Sequence, residues 1–119
     1  MKRGDVFLAD LEPIRGSEAN KARPVVLVGN EASLSAAARF TRGVVTVVPC
    51  TSNLSNLSIR GAMHVALRPT KLNGLRVPSK AQTEQIRSID VGRLIRRLGK
   101  LGSGDLAAVE DALRYHLTL

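Results

Sequence analysis

Residues 44–58 read VVTVVPCTSNLSNLS, and the change at Pro49 decides how the rest of the chain is read. Val44 to Val48 is a β-branched apolar run too short for a helix, so it predicts a buried strand. Pro49 to Ser58 is expected to be a hydroxyl- and amide-rich loop after that strand. Working outward, Val6–Ala9, Pro24–Val28, Met63–Leu67 and Gln85–Ile89 are further short runs of the same kind, bounded by Gly, Pro or Asn. Asn73-Gly74 marks a turn between the last two. Glu31 to Arg39, with its Ala triplet, fits a short helix. Leu106, Val109, Leu113 and Leu117 recur at helical spacing, with Ser103 available as N-cap and Glu110 and Asp111 on the outer side. Leu94 to Leu101 fits either a helical face or a twisted strand. The gaps between strands are mostly too short for crossover helices, which disfavours a parallel sheet and points to a small twisted sheet or partly open barrel.

The 119 residues suffice for a single domain, 1–119, and not for a second with its own core. With 44% hydrophobic and 24% charged residues the composition is globular. No apolar run approaches a membrane span, and Asp5 interrupts any signal-peptide core, so a cytoplasmic protein without a membrane partner is expected. The single cysteine, Cys50, has no disulfide partner within the chain, which fits a reducing compartment.

Lys and Arg number 18 against 10 acids, a net charge of +8. From Ala32 to Thr83 there is no Asp or Glu, while Arg39, Arg42, Arg60, Arg68, Lys71, Arg76 and Lys80 fall inside that stretch. Such a segment attracts phosphates, although a solvated basic surface reads the same way from charge alone. Three aromatics, Phe7, Phe40 and Tyr115, are too few for a platform on which bases stack. Two-metal nuclease chemistry is disfavoured by the lack of carboxylates at metal spacing, and no metal or cofactor is expected. Walker, dinucleotide-binding and nucleophile-elbow motifs are absent. His64, on an expected strand, and His116, in the last helix, are read as structural or surface residues. What remains for a basic chain acting on nucleic acid is binding alone, or the cleavage in which RNA supplies its own 2′-hydroxyl as nucleophile.

Two loops at strand ends attract attention on those terms: PIRGSEANKARP, residues 13–24, and PCTSNLSNLS, residues 49–58. At these segments the chain resembles the MazF/PemK/Kid family of toxin endoribonucleases. KRGDVFLADLEPIRGSEANKARPVVLV resembles the family's opening, VVPCTSN its second signature and NGLRVPSKAQTEQIRSID its third, in order from about Lys2 to Leu101. The resemblance implies a mainly β protein with a C-terminal α-helix, a small SH3-like barrel of the kind CcdB-like toxins share. It implies a homodimer that cleaves single-stranded RNA without metal and an antitoxin with an acidic tail that covers the RNA groove. By motif position Arg23 and Thr51 match the family's catalytic arginine and threonine, and Glu18 falls where some members have an acid–base residue. Ser17, Asn20, Lys21, Ser52, Asn53, Gln85 and Arg87 are the positions expected around the groove. The resemblance also makes Asp90 to Arg93 a brief turn and Leu94 to Leu101 a strand. It assigns no function to residues 32–42 or 54–60. Two alternatives stand beside it: a non-catalytic toxin of the same small barrel that acts on DNA gyrase, against which Arg23 and Thr51 together argue, and a plain RNA-binding barrel.

Overall fold

Val25, Val26 and Leu27 are successive residues, and all three are fully buried. Neighbouring side chains of a strand point to opposite faces, so burial of all three requires cover on both sides of the sheet. The computed structural model, which describes residues 1–11, 22–55 and 63–119, supplies that cover. The elements run in chain order β1 (Asp5–Asp10), β2 (Ala22–Leu27), α1 (Glu31–Phe40), β3 (Val44–Thr51), β4 (His64–Leu67), β5 (Ser79–Gln82), β6 (Arg87–Asp90), β7 (Leu94–Lys100) and α2 (Ser103–Leu117). Short 3-10 turns at Thr83–Gln85 and Val91–Arg93 flank β6.

All strand pairs are antiparallel, in the order β4-β5-β3-β2-β1-β7, with β6 pairing β3 beside this path. β3 is the organiser. Its first half, Val44 to Val47, pairs with β6, and its end, Cys50 and Thr51, pairs with β5. The strands fold into a small barrel-like sheet that hydrogen bonding leaves open between β4 and β7 among the described residues.

Alternation sends the central strands' side chains into two cores. Val6, Val26, Val48, Cys50 and Ala81 pack with Leu67, Val109 and Leu113 on the side covered by α2. Ala9, Val25, Leu27, Val45, Val47 and Ile89 pack with Leu34 and Ala37 of α1 on the other. Each such buried aliphatic side chain contributes about 1.5 to 3 kcal/mol relative to exposure.

The helices form where periodicity predicts them. Asn30 caps α1, its Oδ1 accepting from the Ser33 N–H at 2.8 Å, while Glu31 in the first turn and Arg39 in the last complement the helix dipole. α2 starts differently from expectation. Gly102 is its N-cap with no side-chain bond, and Ser103 is already its first helical residue. Arg3 fixes α2 to the sheet, its Nε donating to Glu110 Oε2 at 2.8 Å and its Nη1 to the Val28 carbonyl. Asp90 to Arg93 turns and β7 follows as a strand, as the resemblance implies. Among the described residues no helix is long and apolar enough to cross a membrane.

Three details correct the sequence reading. β3 runs on through Pro49 and Cys50 to Thr51, residues expected to open a loop, because Cys50 packs into a core and pairs with Ala81 of β5. β5 was not anticipated, and the strand expected at Gln85 begins at Arg87. Thr83 is the reason for the later start. Its N–H and hydroxyl both donate to the Met63 carbonyl, and the Ile86 N–H returns to its own carbonyl, closing a turn before β6.

The Asn73-Gly74 turn is pressed against β7. Asn73 is buried, its Oδ1 accepting from the Thr70 and Leu75 N–H groups and its Nδ2 donating to the Arg68 carbonyl. Gly74 has φ +71, and a Cβ there would lie 2.1 Å from the Leu98 oxygen. A Cβ at Gly99 would lie 2.1 Å from the Leu72 oxygen. Only glycine permits either approach.

Candidate RNA-cleavage site

Arg23 and Thr51 lie 28 residues apart in sequence, and both stand just beyond the end of the β2–β3 ladder, on strands that it holds in register. That ladder pairs Val25 with Pro49. One stride outward on the same face, the next side chains are Arg23 on β2 and Thr51 on β3. On its other edge Thr51 stands directly opposite Lys80 of β5. Opposed residues of an antiparallel pair project from the same face, so Arg23, Thr51 and Lys80 form a row across three strands. The row sits where the apolar run of β3 gives out, and the two cations differ sharply in environment. Arg23 is exposed and Lys80 is 4% exposed.

The Thr51 hydroxyl is oriented by its own loop. Its oxygen accepts from the Asn53 N–H at 3.1 Å, and Asn53 Oδ1 in turn accepts from the Ser55 N–H at 3.0 Å and the Ser55 hydroxyl at 2.6 Å. These are the short-range bonds that serine, threonine and asparagine favour in turns. A hydroxyl whose oxygen accepts there keeps its proton for a ligand. The loop closes on Lys80, whose Nζ donates to the Ser55 carbonyl at 2.5 Å.

Next to this row is a polar cavity of about 320 Å³ whose lining includes Thr51, Asn53, Lys80, Glu84, Gln85 and His64. His64 is buried, and its Nε2 lies 2.7 Å from Glu84 Oε2. His64 Nδ1 and Glu84 Oε1 are buried without a hydrogen-bond partner among the described residues. Of the structural or surface role expected for His64, burial and the Glu84 pair exclude the surface one. His64 shares a cavity with Thr51, whereas His116 lines a different one at the C-terminus with Met63 and Tyr115. Cys50, adjacent to Thr51, points the other way into the core, and burial pushes its thiol up to about 12. It is no nucleophile at neutral pH.

Of the residues expected around the groove, Asn53 and Gln85 line the cavity with Thr51. Ser52 and Arg87 are exposed and do not line it. Arg87 is paired with Val47 and so projects from the same face as Thr51. Ser17, Glu18, Asn20 and Lys21 lie outside the described residues. Lys80, His64 and Glu84 were missed as site residues. Lys80 was counted only as one charge of a basic stretch; the available signal was its place in SKAQ, three residues before the start of the TEQ turn. Among the described residues no three of His, Cys, Asp or Glu come together as a metal site.

A family model described as PemK-like, MazF-like toxin of type II toxin–antitoxin system matches residues 2–117. Endoribonuclease MazF9 of Mycobacterium tuberculosis is 46% identical over 119 residues, covering 100% of this chain and 98% of that protein. Endoribonuclease MazF of Staphylococcus saprophyticus is 34% identical over 119 residues, covering 100% and 92%. Among solved structures, Mycobacterium tuberculosis toxin MazF-mt6 is similar with a TM-score of 0.71 at 27% identity over 97% of each chain. An endoribonuclease in complex with its cognate antitoxin, from a mycobacterial species, shares the fold with a TM-score of 0.74 at 23% identity, over 100% of this chain and 96% of that one. Three ordered motifs, a barrel-like sheet closed by a terminal helix and a family match over nearly the whole length agree: the chain belongs to the PemK-like, MazF-like family of type II toxin–antitoxin toxins.

Proposed function

We propose that the chain is the toxin of a type II toxin–antitoxin pair and acts as a sequence-specific endoribonuclease on single-stranded RNA, inhibiting translation and growth. The observation that carries this reading is the β2–β3 register, which continued one stride beyond Val25–Pro49 puts Arg23 and Thr51 on the same face at the polar end of the two strands. The full-length relatives named endoribonucleases support it. They favour neither the gyrase-directed nor the plain RNA-binding alternative.

The chemistry needs little from the protein, because the substrate carries its nucleophile. The ribose 2′-oxygen attacks the adjacent phosphorus, the bond from phosphorus to the 5′-oxygen breaks, and the ends are a 2′,3′-cyclic phosphate and a 5′-hydroxyl. A guanidinium stays protonated at neutral pH, so Arg23 stabilises the pentacoordinate phosphate or donates toward the leaving oxygen rather than acting as base. Thr51 donates its free hydroxyl proton to developing negative charge. Glu18 takes the acid–base role that its motif position suggests. Ser17, Asn20, Lys21, Ser52, Asn53, Gln85 and Arg87 hold the strand, and mRNA, tRNA or rRNA is the physiological target. The working unit is a homodimer in the cytoplasm. Its basic face is silenced by a cognate antitoxin with an acidic tail, in line with the relative solved with its antitoxin.

The test is to incubate purified protein with a long unstructured RNA in EDTA and to map the cut ends. Cuts at a recurring short motif are expected, and a single 2′-deoxyribose at the cut position should abolish them. Cleavage of an all-DNA strand would overturn the mechanism.

A further inference from the structure

Lys80 is a cation in an unusual position. It is 4% exposed, and among the described residues its ammonium meets one acceptor, the Ser55 carbonyl, for three N–H donors. No carboxylate pairs with it among the described residues. Among the described residues Glu84 is the one acid lining its cavity, and it pairs with His64 through Oε2 rather than with Lys80. An ammonium buried without a counter-charge is costly, and an incoming anion offsets that cost. Register fixes where that anion sits. Lys80 is directly across the β3–β5 ladder from Thr51, on the side away from Arg23.

Resting on the ribonuclease reading above, we propose that Lys80 is a further catalytic residue, its ammonium donating to a non-bridging oxygen of the scissile phosphate. As the O2′–P bond forms and the P–O5′ bond breaks, the 2′-hydroxyl proton leaves to the base and the 5′-oxygen takes up a proton. Negative charge grows meanwhile on the two non-bridging oxygens. Arg23 reaches the phosphate from the solvent side as a planar fork, and Lys80 meets it from the cavity wall as a fixed point charge. Thr51 donates between them.

The competing role for Lys80 is purely supportive, since its bond to Ser55 also braces the Thr51 loop. Stereochemistry separates the two. After the cut is mapped with wild-type protein, a short RNA spanning it is made with each of the two phosphorothioate diastereomers at the cleaved phosphate. The wild type should cut one diastereomer at least about tenfold more slowly than the other. Lys80→Met should slow the all-oxygen substrate by about 100-fold in single turnover, with RNA affinity changed little. It should also erase the preference between diastereomers. Lys80→Arg, which keeps the charge, should retain part of the rate, and it reports the same preference if Lys80→Met does not fold. A slow Lys80→Met variant with the wild-type preference intact would reduce Lys80 to a loop brace. Equal cutting of both diastereomers by the wild type would also overturn its contact with a non-bridging oxygen. A wild type that cuts no RNA would instead remove the ribonuclease reading on which the proposal rests.

Discussion

The two ends of β3 obey different rules. Over Val44 to Val48 the strand lies between β2 and β6, and Val45, Val47 and Val48 lose all or nearly all contact with water. At Cys50 and Thr51 it changes partner to β5, and the face that carried Val45 and Val47 into a core now carries Thr51 beside Arg23 and Lys80. The backbone is one continuous strand, so the apolar half holds the polar half rigidly in place. The strand sets where the Thr51 side chain stands, and the loop after it sets the direction of its hydroxyl. Stability and chemistry are thus written on the same element a few residues apart, and substitutions at the two ends should fail in different ways.

The largest expected effect falls at the polar end. Thr51→Val keeps the shape and removes the hydroxyl, and it should lower the single-turnover rate on a short RNA by about 100- to 1,000-fold. Arg23→Ala should lose at least as much, and Arg23→Lys should bind RNA nearly as well as wild type while losing much of the rate. Thermal melts of all three should stay close to wild type, since Arg23 is exposed and Thr51 is half-buried. If Thr51→Val cuts RNA at the wild-type rate, the two ends of β3 do not differ in function as argued.

At the apolar end the failure is thermodynamic. Val47 is fully buried between β2 and β6, and Val47→Ala should destabilise the fold by about 2 kcal/mol in denaturant unfolding. Its cleavage rate per folded molecule should be unchanged. A rate loss beyond the loss of folded protein would mean that packing at one end is transmitted to the other.

Cys50 sharpens the boundary with the smallest effect. Its thiol is pushed up to about 12 in the fold by burial, against an ordinary 9.0. The folded state therefore favours the neutral form. The stability this contributes is fully present below about pH 9 and is lost as pH rises toward 12. Cys50→Ala should flatten the alkaline part of the stability profile relative to wild type while leaving neutral-pH alkylation near zero in both. Rapid alkylation of native wild type at pH 8 would show that the strand frays at Cys50, next to the site.

Much of this was legible in the residues. PVVLV, residues 24–28, announces a buried strand because no polar side chain breaks it, and VVTVV, residues 44–48, does so with Thr46 as its one interruption. Leu106, Val109 and Leu113 announce α2 through their spacing. β5 was not legible, because SKAQ has no apolar alternation and its Ser79 and Lys80 are nevertheless buried. Their burial comes from what packs over them, which local sequence does not record. Arg23 and Thr51 were found through motif resemblance. Their place on one face is set by a register that no spacing rule within 28 residues could supply. That His64 shares a cavity with Thr51 was illegible for the same reason as β5. Its partner, Glu84, lies 20 residues away and meets it only once β4 and the turn after β5 are in place.

The pressing of the Asn73-Gly74 turn against β7 bears on how this chain can drift over generations. At Gly74 and at Gly99 an added methyl would meet a carbonyl oxygen of the opposite segment, not the pliable tip of a side chain. Ordinary second-site compensation works by trimming a neighbouring side chain, and a carbonyl has nothing to trim. The two positions are therefore closed to gradual exchange. A lineage can vary the surfaces around this contact freely, but it can relinquish either glycine only by moving the whole turn off the sheet.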